Sequence, residues 1–377
     1  MQSFLYEIVA RIFAIFLCLG SSGALADARH DCDNLSGDAS IQACDQAIRE
    51  NPRDAVSYYN RGVGYFHKGD FDRAIADFTE AIEINPKSAL AYNARGVIFE
   101  EQHDLDRAIA DATKAIEVDP KYAPAYSNRG NALMHKGGEL DRAIADYTEA
   151  IEIDPQQKGG AHLNAYYNRG FAYQMKRDLD RAIADYAKAI DVDPKHALAY
   201  IGRGFILRVR GDLDGAIADY ARAIEIDPTH ALPYIRRAEA YQDKGDFDRV
   251  IADYAKALEI DPKSAAAYNS RCRFRVKANL DLPHALLDCD DAVRLAPNKP
   301  IMIGSRGLVY LRLNRLGEAI ADFDSALKIN PELAGYLYGR GLAKQNNGDQ
   351  AGGDADIAAA KAIKATIADE LAKYGVN

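Results

Sequence analysis

Small and apolar residues recur along this chain at steps of three and four, in short runs that come in pairs. In Ala55 to Pro86, AVSYYNRGVGYFHKGDFDRAIADFTEAIEINP, the residues Tyr58, Arg61, Gly62 and Tyr65 fall on one face of a first helix. Gly69-Asp70 interrupts that pattern. Ala74, Ile75, Phe78, Ala81, Ile82 and Ile84 then repeat the spacing in a second helix, with Asp70 and Asp72 at its positive end and Asn85-Pro86 as its stop. The unit is a helical hairpin. Its arginine returns as Arg95, Arg129, Arg169, Arg203, Arg237, Arg271, Arg306 and Arg340, at intervals of 34 or 35 residues with a single interval of 40. A fixed period of this length predicts supersecondary units stacked side by side.

The hairpin resembles the tetratricopeptide repeat, a helix-turn-helix of about 34 residues with an aromatic, a small residue and an aromatic in its first helix, then Ala, aromatic, Ala and Pro in its second. Tyr58, Gly62, Tyr65, Ala74, Phe78, Ala81 and Pro86 stand at those places, whereas Arg61 replaces the family's usual Leu before the glycine. Closing prolines at Pro86, Pro120, Pro155, Pro194, Pro228, Pro262, Pro297 and Pro331 extend the resemblance over residues 39 to 360. It implies an all-α fold, a right-handed α-solenoid of stacked helical hairpins forming one elongated domain. First helices would line a concave groove that holds a peptide or a partner helix.

Taken in order, residues 1–26 read as a signal peptide. Arg11 precedes the apolar run Ile12 to Leu19, and Ala24-Leu25-Ala26 suits cleavage after Ala26. The run is short for a bilayer span, so a retained anchor is the lesser alternative. Cys18 follows Ile15-Phe16-Leu17 and lacks the small residue that a lipidated cysteine requires just before it. Residues 27–54 hold a polar segment and a half-repeat cap built on Ser40, Cys44, Ala47 and Pro52, and residues 55–353 hold eight full repeats and a degenerate ninth. Gly137-Gly138 and five extra residues within Gln156 to His162 read as loop insertions. The ninth pattern keeps Arg340 and Gly341 but has Gly353 and Ile357 in place of its second-helix Ala and aromatic. Residues 354–377 should form a capping helix running from Asp354 to Tyr374.

Each arginine is followed 16 or 17 residues later by an aspartate: Asp77, Asp111, Asp146, Asp185, Asp219, Asp253, Asp288, Asp322 and Asp356. An arginine beside a packing glycine brings its guanidinium to a helix interface, where a forked carboxylate contact suits it and an unpaired charge is costly. The half-repeat cap has Ala43 at the aspartate place and no arginine. The pairs are therefore expected within hairpins, as Arg61–Asp77, Arg95–Asp111 and Arg203–Asp219. Cys272 takes the place of the packing glycine and Cys289 that of the aromatic opposite it, which suggests a Cys272–Cys289 disulfide; Cys44 lies within reach of Cys32 for a second, Cys32–Cys44. Buried free thiols are the alternative. No Cys-x-x-Cys or His-x-x-x-His pair occurs, so no metal is expected.

Hydrophobic residues make up 48% of the chain, enough to give every hairpin an apolar face, and the abundance of Tyr without Trp suits shallow helix interfaces. A formal net charge of −9, unchanged by removal of residues 1–26, disfavours nucleic acid as a partner. Neither a P-loop nor a Gly-x-Ser-x-Gly nor a His-Glu-x-x-His motif is present, and the repeats leave no room for a catalytic domain. The chain reads as non-enzymatic and without a cofactor.

Function is then expected on first-helix residues off the packing face, such as Tyr59, Asn60 and Val63. Asn60, Asn128 and Asn168 share one place and Asn93 and Asn269 fall one residue earlier, a row of amides suited to an extended peptide backbone. Ala94, Gly202, Arg236 and Ser270 interrupt it, and the same amides would also serve to cap turns or face water. Tyr59, Tyr167, Phe171 and Phe205 are candidate apolar anchors or packing residues. Arg208, Arg236, Arg273, Lys277 and Arg312 lend the later repeats a basic surface, set against Glu100 and Glu101 early on, so an acidic partner segment is expected toward the C-terminal half. These observations predict an exported scaffold, periplasmic or secreted and off the membrane once the signal is cleaved, that binds a protein or peptide. A self-assembling structural solenoid is the alternative.

Overall fold

Reversing direction inside each hairpin takes at least one residue of positive φ, and the chain supplies it in two ways. Gly69, Gly211, Gly245 and Gly348 do so with φ of 76 to 93°, while His103, Arg177, Asn279 and Asn314 do so with φ of 51 to 62° despite carrying a Cβ. In most hairpins the helix that follows starts on an aspartate; Glu139 and Arg315 are the exceptions. Asp70, Asp104, Asp178, Asp212 and Asp246 each accept from the backbone N–H three residues on.

The computed structural model describes residues 31–33, 37–156 and 165–375; the export segment 1–26 with Cys18, and most of the extra residues after Gln156, lie outside them. Every element among the described residues is an α-helix. Backbone contacts divide the chain into two units, one ending at Arg203 and one beginning at Gly204. In the first unit the half-hairpin Gly37–Glu50 is followed by four hairpins, Ala55–His67 with Phe71–Ile84, Ala89–Glu101 with Leu105–Val118, Ala123–Lys136 with Leu140–Ile153, and Ala165–Met175 with Leu179–Val192. Helix Ala197–Val209 crosses the division. The second unit continues with Leu213–Ile226 and the hairpins Ala231–Lys244 with Phe247–Ile260, Ala265–Lys277 with Leu282–Leu295, Pro300–Arg312 with Leu316–Ile329, and Ala334–Asn346 with Gln350–Ile363, then a short helix Ile367–Ala372.

Within a hairpin the first helix presents glycine to a ring. A Cβ added at Gly62 would lie 2.8 Å from Phe78, and one at Gly130 2.8 Å from Tyr147. Phe78, Tyr147, Tyr186, Tyr220, Tyr254 and Phe323 are consequently buried almost completely. In the hairpin that has Cys272 at the glycine place and Cys289 at the ring place, the two sulfurs lie 2.07 Å apart, a disulfide between facing helices. Cys32 and Cys44 make a second, at 2.11 Å, that ties the leading segment to the half-hairpin.

Beside each packing glycine lies a buried ion pair. Nε and Nη2 of Arg61, Arg95, Arg129, Arg169, Arg237, Arg271, Arg306 and Arg340 donate to both oxygens of Asp77, Asp111, Asp146, Asp185, Asp253, Asp288, Asp322 and Asp356 respectively, at 2.6 to 3.0 Å. All eight carboxylates are buried. Asp288 also receives Arg275.

A second contact lies beyond the within-hairpin pairing that the sequence suggests. Nη1 of the arginine reaches back to the preceding second helix, to Asp45 from Arg61 at 2.6 Å, Thr79 from Arg95 at 3.0 Å, Thr113 from Arg129 at 3.3 Å, Thr148 from Arg169 at 3.0 Å, Asp290 from Arg306 at 3.0 Å and Asp324 from Arg340 at 2.7 Å. Each threonine hydroxyl donates to the carbonyl four residues earlier at 2.7 Å, which leaves its lone pairs for the guanidinium. At Arg203, Arg237 and Arg271 the corresponding residues are Ala187, Ala221 and Ala255, which carry no side-chain acceptor.

The C-terminal end differs from the single helix Asp354 to Tyr374 expected from composition. Asp349 caps a helix that starts at Gln350 and completes the ninth hairpin. Gly341 and Gly353 meet there backbone to backbone, since a Cβ on either would lie 2.7 to 2.8 Å from the other's carbonyl oxygen. That helix ends at Ile363, and a bend separates it from Ile367–Ala372.

Two outcomes follow for stability. Arg237→Ala strands Asp253 in the interface and should cost about 3 kcal/mol, while Arg237→Ala with Asp253→Ala should recover a good part of it; urea unfolding of the full chain checks this, and a single variant as stable as wild type would refute it. Cys272→Ser with Cys289→Ser reopens a loop with a sequence separation of 17 and should cost roughly 3 kcal/mol, read as a lower thermal midpoint under non-reducing conditions.

Candidate functional site

The ladder occupies one side of every first helix, and the residue two places after each ladder arginine stands on another. That place holds Val63, Val97, Asn131 and Phe171 in the first unit, and Phe205, Glu239, Arg273, Leu308 and Leu342 in the second. Chemistry therefore varies along this face where the packing residues do not.

In the first unit the amides link one hairpin to the next. Asn128 donates to Asn93 Oδ1 at 2.8 Å, and Asn168 donates to Asn131 Oδ1 at 2.9 Å. Asn131, which the sequence reading passed over, also accepts from the Tyr147 hydroxyl at 2.8 Å. The available signal was an amide where the two preceding hairpins have Val63 and Val97. Asn60 lies apart from these and donates to Asp33 at 2.5 Å. Asn131 Oδ1 thus uses both of its lone pairs, whereas Asn128 and Asn168 each commit only one of two N–H donors to these bonds.

Of the aromatic candidates, Tyr59 is a packing residue. Its ring lies 5.6 Å from that of Phe78, and burial drives its phenol well above the usual range. Tyr167 packs with Tyr186 at 5.7 Å and with His196 at 5.0 Å, and burial lowers the His196 pKa. Phe171 is the anchor left open, 41% exposed. Glu100 takes His135 Nδ1 at 3.2 Å, and that hydrogen bond raises the histidine pKa; burial raises that of Glu101.

The second unit is not the one-signed basic surface that the arginines suggest. Arg208 meets Asp243 at 2.9 Å and Glu239 at 3.2 Å, and Arg236 shares Glu239 at 3.1 Å while lying 5.9 Å from the Phe205 ring. Two carboxylates unremarked in the sequence thus offset the two cations. Arg273 and Arg312 are engaged by the chain's own end. Arg273 Nη2 donates to the Tyr374 hydroxyl at 2.8 Å, and Arg312 donates to Asn279 Oδ1 at 2.6 Å and to the Tyr374 carbonyl. Lys277 lines an adjoining cleft of about 600 Å³. Among the described residues no helix is long and apolar enough to cross a membrane, and no group of three or more His, Cys, Asp or Glu is disposed to hold a metal ion.

Models of the tetratricopeptide repeat match residues 55–88, 93–158, 167–231 and 231–264, and a TPR repeat model matches 307–348, together well over half of the chain. No protein of curated function matches it. Among solved structures, a tetratricopeptide repeat protein from Parabacteroides merdae is similar at 24% identity with a TM-score of 0.51, covering 68% of this chain and 98% of that one. The pilF protein of Pseudomonas aeruginosa is similar at 19% identity with a TM-score of 0.51, covering 56% of this chain and 95% of that one. Such likeness speaks to the fold alone. From the matched repeats, the chain belongs to the tetratricopeptide repeat family.

Proposed function

We propose that this chain is a non-enzymatic scaffold that binds protein or peptide segments along the first-helix face, exported to a periplasmic or extracellular space. The observation that carries the reading is the linked amide row of the first unit beside the exposed ring of Phe171. Asn128 and Asn168, each held by a neighbour through one N–H, have among the described residues a second N–H and carbonyl lone pairs open to a ligand, at spacing set by the hairpins. Groups ordered in advance lose little side-chain entropy when a backbone docks on them. A peptide in extended form offers alternating N–H and C=O groups to such a row whatever its sequence, and Phe171 supplies one apolar contact to fix register. Two disulfides suit an oxidising compartment, which supports export as part of the proposal.

Binding of the full chain to an array of immobilised extended peptides tests this. Asn60→Ala with Asn128→Ala and Asn168→Ala should weaken capture about tenfold, with Phe171→Ala adding to the loss. Equal capture by wild type and variant would overturn the amide-row reading, and growth of particle mass with concentration in light scattering would instead support a self-assembling solenoid.

A further inference from the structure

Beyond the ninth hairpin the chain turns back on the second unit. Lys364 pairs with Glu370 at 2.7 Å and Thr366 donates to Glu370 at 3.2 Å, which closes the bend. Helix Ile367–Ala372 then lays Ile367 and Leu371, 5% and 6% exposed, into a cluster with Tyr336, Leu337 and Leu308. One turn further on, the Tyr374 ring lies 5.4 Å from the Arg273 guanidinium, and its hydroxyl and carbonyl take hydrogen bonds from Arg273 and Arg312. Asp369 is exposed, and Lys373, also exposed, borders the adjoining cleft. The segment thus uses positions i, i+4 and i+7, the pattern by which an amphipathic helix lies in a groove.

Shielding the last hairpin accounts for Ile367 and Leu371 and does not account for Tyr374. That tyrosine reaches Arg273, 101 residues earlier, in the hairpin two before the last. Arg273 and Leu308 stand at the variable first-helix place, and Lys277 and Arg312 four residues after each, so the segment sits on the face that the proposed function assigns to ligands. Its hold is also slight. The helix has six residues, too few to persist alone, and only two of its side chains are buried. Beside it remains the cleft of about 600 Å³, bordered by Arg273, Lys277, Tyr336 and Tyr374.

We propose that this part of the second unit is a seat for a short amphipathic helix of a partner protein, with aliphatic residues at i and i+4 and a tyrosine at i+7, and that the chain's own residues 367–374 are its resident, displaceable occupant. The inference rests on the first-helix face being the binding face. Arg273 and Arg312 read the tyrosine and the helix's terminal carbonyl, and the apolar cluster takes the two aliphatic side chains. Because the resident is tethered, its effective concentration is on the order of millimolar, and a competitor must exceed that.

The test uses the full chain and a fluorescent peptide with the sequence of residues 364–377. With Ile367→Asp, Leu371→Asp and Tyr374→Ala the resident should leave, and the variant should bind the peptide at least about tenfold more tightly than wild type does. Adding Arg273→Ala, or replacing the tyrosine of the peptide by alanine, should remove most of that gain. A variant of unchanged helical circular dichroism that fails to bind, or that binds both peptides equally, overturns the proposal. Should the triple substitution unfold the last hairpin, Tyr374→Ala alone decides: amide exchange over 367–372 should rise with 334–363 unchanged, and unaltered exchange counts against a displaceable segment. None of these variants touches Asn60, Asn128 or Asn168, so failure here leaves the amide-row result standing, and failure of both removes the binding face itself.

Discussion

An arginine carried into a helix interface stays there only if its flat guanidinium is met edge on. In this chain the Nε and Nη2 edge is met by an aspartate of the facing helix, and both groups lie next to the glycine that lets the helices approach. A lysine would offer a point charge at that place, with no fork to fix the rotation of one helix against the other. The geometry leaves Nη1 directed at the preceding hairpin, where Thr79, Thr113, Thr148, Asp45, Asp290 or Asp324 accepts it. One side chain therefore sets the closure of its own hairpin and its register on the neighbour. Where Ala221 and Ala255 stand at the acceptor place, Arg237 and Arg271 keep the first function without a side-chain acceptor there for the second.

Much of this was legible because repetition samples each place many times. Arginine and aspartate recur at a near-constant interval, so their pairing could be reasoned from residue types and from Ala43 in the half-repeat. The cross-hairpin acceptor was harder to see. It changes between threonine and aspartate, two residues that are unremarkable in a polar helix face, and its meaning depends on where a third nitrogen points. Asn131 and Glu239 escaped for the opposite reason, each being a single residue at a variable place with one partner from a neighbouring hairpin, Asn168 for Asn131 and Arg208 for Glu239. The bend after Ile363 left no mark either: Lys364, Ala365 and Thr366 include neither glycine nor proline, and the contacts that hold it, Lys364 and Thr366 with Glu370 and the docking of Ile367, Leu371 and Tyr374, are tertiary.

A division of labour along each first helix follows. The arginine, the glycine and the ring place are constrained by the opposing helix, so the arginine repeats throughout, the other two places depart only singly, as at Ala112, Ala238 and Ile357, and Cys272 and Cys289 change together. Two residues beyond the arginine that constraint is lifted, and the place passes from valine through asparagine and phenylalanine to glutamate, arginine and leucine. The two units thus share a scaffold and differ in the chemistry they present, amides and an open ring in the first, and matched charges followed by an apolar seat in the second.

That seat also bears on what holds the chain's end. A six-residue helix gains too few internal hydrogen bonds to offset its nucleation, so the order of residues 367–372 is derived from the surface beneath them. Ile367 and Leu371 supply apolar burial with little orientation of their own, since the hydrophobic effect is non-directional. Direction comes from Arg273 and Arg312, whose hydrogen bonds to one tyrosine fix where along the face the helix stops. Any segment of the same pattern meets the same two arginines, and what distinguishes the chain's own segment is its tether. The bend at Lys364 to Thr366, closed by Glu370, keeps that tether short and so keeps the resident's local concentration high. Selectivity at such a site rests less on excluding other helices than on how far each exceeds the advantage that three connecting residues give to the resident.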